Sequence, residues 1–138
     1  PFQWSDELYT GFSTVEPWLP VSAGYAACNV PSQKGDPQSV LSLYRALLQL
    51  RAQHPALNAG EYQTIAHDQP NCYVYQRTWK DETFVVALNF SDQNVKLKEI
   101  SGFQIALSTQ LDRADEIIET GLLLRSHEGV VLRDVPGN

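Results

Sequence analysis

The chain has 138 residues and a mass of 15.5 kDa, and its 43% hydrophobic, 10% aromatic and 19% charged content excludes a disordered segment. A formal charge of −6, with the ten Lys and Arg residues scattered, argues against a nucleic-acid partner, because an acidic surface repels phosphates. No apolar run reaches the roughly 18 residues that a membrane-spanning helix needs, so no membrane partner is expected.

Residues 1–36 are rich in Pro, Gly, Ser and aromatics and carry no sustained period of 2 or 3.6. They read as an irregular, aromatic-pinned segment, long enough to depend on a neighbouring surface. Residues 36–54 read as one helix of about 27 Å. Asp36 is the expected N-cap, Pro37 the first helical residue, and Pro55 the stop. The apolar residues Val40, Leu41, Leu43, Tyr44, Leu47, Leu48 and Leu50 cover well over half its circumference, as in a helix built to be covered on two sides. From residue 60 the period changes to 2. Tyr62 to His67, Cys72 to Trp79, Thr83 to Asn89, Asn94 to Leu97, Phe103 to Ser108, Leu122 to Arg125 and Val130 to Arg133 read as strands, with Asp112 to Thr120 an exposed acidic loop. The fold class is therefore mainly β: an antiparallel, Greek-key-like sandwich of about seven strands, preceded by the irregular segment and one long helix. The unalternating run of Thr83 to Asn89 marks a central strand buried on both faces.

No self-sufficient active site is legible. The chain lacks a G-x-S-x-G elbow, a phosphate loop and an H-E-x-x-H helix. His54, His67 and His127 are far apart and suit a helix end, a strand end and a turn, so no metal and no cofactor are expected. Cys28 and Cys72 are too few for a disulfide framework and read as buried thiols of a reducing compartment, with one bridge between them as the alternative. With no basic-then-apolar leader, the location expected is cytoplasmic. The absence of Met, even at position 1, suggests a piece of a longer chain. Asp112, Asp115, Glu116 and Glu119 read as a solvated charge run, and Asn89-Phe90-Ser91 as a chance match to the glycosylation pattern. The aromatics Trp4, Phe12, Trp18, Tyr25 and Trp79 suit either stacking on sugar rings or anchoring of a loop or core.

Several segments carry a family likeness. Pro1-Phe2-Gln3-Trp4-Ser5-Asp6, Thr10-Gly11-Phe12-Ser13 and Pro17-Trp18-Leu19-Pro20-Val21 resemble the stretch after the last catalytic motif in α-glucosidases of the α-amylase superfamily. Asp36-Pro37-Gln38-Ser39-Val40-Leu41, Tyr44-Arg45-Ala46-Leu47, His54-Pro55-Ala56-Leu57 and Gly60-Glu61-Tyr62 are similar to elements of its last barrel helix and of the segment leaving that helix. Val85 to Ser91 and Leu124 to Leu132 resemble strands of the domain after the barrel. The likeness extends to oligo-1,6-glucosidases, dextran glucosidases and trehalose synthases.

The resemblance implies that residues 1–57 end a (β/α)8 barrel and that residues 58–138 form an all-β C-terminal domain. It implies a retaining glycosidase as parent, whose nucleophile and acid stand about 5 to 5.5 Å apart. The family's catalytic carboxylates lie upstream of the matched stretch, so none is assigned here. Gln3, Trp4 and Phe12 are candidates for the pocket rim, and Trp18 and Trp79 for sugar stacking. The implied partners are the N-terminal barrel and the parent's oligosaccharide substrate. Phe2 in place of the usual Met, Tyr9-Thr10 in place of Asn-Ala and Ser126 in place of Pro depart from the pattern and leave α-1,4, α-1,6 or trehalose-forming specificity open. The expected role is a non-catalytic part of the enzyme whose β-domain stabilises the barrel. The alternative readings are an α-glucan-binding sandwich module and an interaction domain unrelated to sugars.

Overall fold

A computed structural model of the chain describes residues 1–135. The chain divides into two units, Pro1–Arg45 and Ala46–Asn138.

In the first unit a 3-10 turn, Leu8–Gly11, is followed by helix α1, Val30–Gly35. This helix interrupts the stretch expected to be irregular. Its start is a reciprocal cap: the Ser32 N–H donates to the Asn29 side chain and the Asn29 N–H donates to the Ser32 hydroxyl, both at 3.1 Å. Asp36 does not cap the long helix. It ends α1, and its carboxylate accepts from the Gln38 N–H at 2.8 Å. Asp36-Pro37-Gln38-Ser39 closes as a turn instead, Ser39 N–H to Asp36 carbonyl at 3.2 Å, a position where Asp and then Pro are equally favoured. Helix α2 therefore begins late and runs Val40–Gln53, from the first unit into the second. The Ser39 hydroxyl and the Gln33 side chain accept from the otherwise free N–H groups of Ser42 and Leu41. None of its residues is buried, and Val40, Tyr44 and Leu48, four residues apart, are 65%, 63% and 62% exposed. The cover its composition calls for is not supplied by the described residues.

In the second unit Pro55 does more than stop α2: it opens a further short helix, α3, Pro55–Ala59. Glu82 accepts from the Ala56 N–H at 3.0 Å and meets His54 Nδ1 at 2.5 Å, while Arg77 donates to the Ala56 and Asn58 carbonyls. Both ends of α3 are thus tied to strands. At Gly60 a Cβ would lie inside contact of the Ala56 carbonyl and 2.9 Å from that of Thr78, so only glycine allows this close approach.

Eight strands complete the unit: β1 Glu61–Thr64, β2 Cys72–Trp79, β3 Glu82–Asn89, β4 Val95–Leu97, β5 Phe103–Ser108, β6 Ile117–Ile118, β7 Leu122–Leu124 and β8 Gly129–Asp134. They form an antiparallel six-stranded sheet, ordered β1-β2-β3-β8-β5-β6, and a two-stranded sheet, β4-β7. The mainly β, antiparallel class expected from the sequence is the one observed. The β2–β3 hairpin turns through Lys80 and Asp81, with Lys80 at φ 53°, as tight two-residue hairpins require. β3 is central, and Phe84 to Ala87 are all buried. The segment 112–120 is not wholly an exposed loop: Ile117 and Ile118 pair with β5 and Ile118 is buried. Its alternation is too short to register as a strand in sequence.

One face of the large sheet (Val74, Val85, Ala87, Val130, Leu132, Ile105) packs with Leu97, Leu122 and Leu124 of the small one, closed by Ile100 and Ile118. Asn89 of the glycosylation-like triplet is buried. Its side-chain amide donates to the carbonyls of Gln93 and Arg125, which rules it out as an exposed acceptor in this fold and makes it a staple at the end of β3.

Candidate functional site

The loop holding the first three candidates is built by unusual backbone. Tyr9, Thr10 and Gly11 are successively left-handed, at φ 55°, 62° and 66°. For the two residues with a Cβ this costs about 1–3 kcal/mol each and persists only where surroundings enforce it. Here Thr10, fully buried, donates through its hydroxyl to the Phe2 carbonyl at 3.0 Å, and its carbonyl accepts from Ser5 N–H at 3.0 Å. A Cβ on Gly11 would stand 2.8 Å from the Ser5 hydroxyl. The Gln3 carbonyl accepts from Val30 N–H at 3.1 Å, tying the segment to the start of α1. So pinned, the loop presents Trp4 and Phe12 to solvent, 56% and 53% exposed, with the Phe2 ring tilted against Trp4 at 4.6 Å. The Gln3 residue is half-buried.

Beside this loop lies an open pocket of about 300 Å³, lined by Leu8, Tyr9, Pro17, Leu19, Val21 and Tyr25 among others, with Glu16 its one carboxylate. Trp18, between the lining residues Pro17 and Leu19, is 90% exposed. Trp79 belongs to the second unit, at the β2–β3 hairpin, 41% exposed. In the first unit the sequence candidates therefore fall into a Gln3–Trp4–Phe12 loop and the exposed Trp18. Cys28 is exposed and Cys72 half-buried, both free, which corrects the expectation of two buried thiols: Cys28 sits in the turn before α1, where no core exists. Among the described residues no cluster of three or more metal-ligating side chains occurs, and no helix is long and apolar enough to cross a membrane.

The carboxylates of the 112–120 segment are exposed, as expected, but Asp112, Asp115 and Glu116 are held by arginines. Arg125 grips Asp112 through two hydrogen bonds of 2.6 and 2.7 Å, Arg113 grips Glu116 through two of 2.7 Å, and Arg133 reaches Asp115 at 2.9 Å. Both Arg113 and Arg125 also donate to Glu128, at 3.0 and 2.5 Å, and the Arg125 N–H adds a third bond at 2.8 Å. The Glu128 side chain is wholly buried. Burial alone would raise its carboxyl, but the bonds from Arg125 and the charge of Arg113 prevail and hold it below the ordinary range. Asp112 is held down to about 2 by the Arg125 guanidinium. Asp112, Asp115, Glu116 and Glu128 each have an arginine partner, so these four and the three arginines form a structural clasp. The sequence reading missed Glu128, and its cue, a carboxylate between strand residues, is weak.

A second unforeseen group is Tyr62, Tyr73 and Tyr75 on strands β1 and β2, with ring centroids 5.3 and 5.6 Å apart along the trio. The spacing Tyr73-x-Tyr75 is the signal that could have revealed it, since alternate strand residues share a face.

Residues 1–60 match the α-amylase catalytic-domain family model. Over 93 residues the chain is 41% identical to the oligo-1,6-glucosidase of Parageobacillus thermoglucosidasius, which covers 67% of this chain and 16% of that protein. It is 33% identical to the glucan 1,6-alpha-glucosidase of Streptococcus dysgalactiae subsp. equisimilis, covering 87% of this chain and 22% of that protein. The trehalulose synthase MutB from Pseudomonas mesoacidophila MX-45 superposes with a TM-score of 0.84 at 32% identity, over 96% of this chain and 24% of that one. The chain thus spans less than a quarter of the length of these relatives.

Proposed function

The chain is related to part of the α-glucosidases of the α-amylase superfamily, and from that premise we propose that it is the non-catalytic C-terminal part of a glycoside hydrolase acting on α-glucosidic linkages. In this reading residues 1–57 complete the catalytic barrel and residues 58–138 form the domain that stabilises it. Supporting it most directly is helix α2: an apolar stripe of Val40, Tyr44 and Leu48 stays open to water on an element whose residues fall within the matched catalytic-domain segment. Such a stripe is expected on a helix whose partner lies in the rest of that domain. The loop of Gln3, Trp4 and Phe12 then contributes to the rim of the substrate pocket, and the oligosaccharide is bound by the completed enzyme. The unpaired thiols fit a cytoplasmic location.

Reconstitution tests this. The chain alone should not hydrolyse an aryl α-glucoside, since in the family it resembles the catalytic carboxylates lie upstream of the matched stretch. Mixed with a relative from which the corresponding segment has been deleted, it should restore turnover and cosediment with it. Turnover by the chain alone, or no complex with the truncated relative, would refute the proposal.

A further inference from the structure

The register of the large sheet sets Tyr62 and Thr64 on β1 beside Tyr73, Tyr75, Arg77 and Trp79 on β2, all on the face opposite the core. Helix α3 covers one end of this face, where Arg77 is committed to its carbonyls and Phe84 packs edge-on against His54. The rest of the face, from Tyr62 beside Arg77 to Tyr73 at the far end of β2, is open: Tyr62 and Tyr73 are 49% and 43% exposed, and all four residues of the edge strand β1 are exposed. The Tyr62 hydroxyl bonds those of Tyr73 and Thr64, so three hydroxyls converge at the rim of three aromatic rings.

We propose that Tyr62, Tyr73, Tyr75 and Thr64 form a binding site for an α-linked glucan chain. The choice of ligand rests on three features. First, the patch holds aromatic faces and hydroxyls with its nearest guanidinium, Arg77, engaged elsewhere, which suits an uncharged polyhydroxylated ligand. Second, the acidic chain disfavours anionic polymers. Third, the rings are tilted by 35° and 47° along the trio. Successive sugars of an α-glucan turn relative to one another and meet tilted rings, whereas a flat β-1,4-glucan calls for coplanar ones. Sugar C–H groups stack on the ring faces, and the shared hydroxyl cluster exchanges one of its internal bonds for bonds to sugar hydroxyls. The choice of a glucan rests on the function proposed above, while the site itself rests on the sheet register.

The test titrates the isotope-labelled chain with maltoheptaose and with an isomalto-oligosaccharide, with cellohexaose as control, and follows the tyrosine ring signals. The expected result is a saturable shift of all three tyrosines with at least one α-glucan and none with cellohexaose. A Tyr62→Ala, Tyr73→Ala double substitution should weaken binding at least about tenfold. Should that variant not fold, Tyr62→Phe with Tyr73→Phe keeps the rings, and a weakened but still α-selective response is expected. Silent tyrosines, equal response to cellohexaose, or a patch occupied by a second copy of the chain in sedimentation would overturn the proposal. Silent tyrosines with restored turnover in the reconstitution remove this site alone. Shifting tyrosines without reconstitution remove the hydrolase reading alone.

Discussion

Glu128→Gln is the substitution whose consequence is most directly dictated by the geometry. The side chain is wholly buried and accepts three hydrogen bonds, two from guanidiniums and one from the Arg125 N–H. Glutamine keeps the shape but removes the charge and turns one acceptor into a donor facing a donor. Breaking one side of a buried ion pair costs about 3–5 kcal/mol. Each arginine retains a second carboxylate, Glu116 for Arg113 and Asp112 for Arg125, so the cost belongs near the lower end, about 3 kcal/mol. With a urea dependence of about 1–3 kcal/mol per molar, the midpoint should fall by about 1–3 M. The loss should itself depend on pH. A carboxyl held below its ordinary 4.5 in the folded chain contributes stability that is complete above that value and disappears as pH falls through the folded pKa. The gap between wild type and variant, measured by far-ultraviolet circular dichroism in urea, should therefore be constant near neutrality and close in acid. A gap under about 0.5 kcal/mol at neutral pH, or one unchanged between about pH 7 and about pH 3, would refute the clasp as a source of stability.

Two further predictions concern the tie between α3 and the sheet. Gly60→Ala forces a Cβ onto the carbonyls of Ala56 and Thr78 and should cost about 1–3 kcal/mol, read from the urea midpoint; an unchanged midpoint would show that α3 can move away freely. Glu82→Gln should cost about 1 kcal/mol by weakening the bonds to His54 and the Ala56 N–H. Burial works against the Glu82 charge, but those bonds hold its carboxyl below 4.5, so the difference from wild type should be present above that pH and fade below it; a difference that grows in acid would contradict the pairing.

Legibility in the sequence depended on whether the signal was local. Strand β2 was legible to the residue, because alternation over Cys72–Trp79 is enforced by a sheet with one packed face, and β3 was legible as a central strand because Phe84 to Ala87 lack alternation altogether. The exposed aromatic loop was visible as composition, though not the left-handed run at Tyr9, Thr10 and Gly11 that shapes it. Asp36-Pro37 satisfies a helix cap and a turn equally well, and the choice was made by Ser39 and Gln33 supplying the caps of α2 from outside the expected start.

The sequence by itself therefore determined the class of fold, the order of its main elements and the family likeness, because periodicity and motif order are properties of neighbouring residues. Only the tertiary structure decided which charges are clasped and which rings meet. Arg113 finds Glu128 across 15 residues from a loop between strands, and Tyr62 meets Tyr73 across 11 through the register of β1 on β2. Register is set by packing of the whole sheet, and a shift of β1 by one residue would send Tyr62 to the face opposite Tyr73.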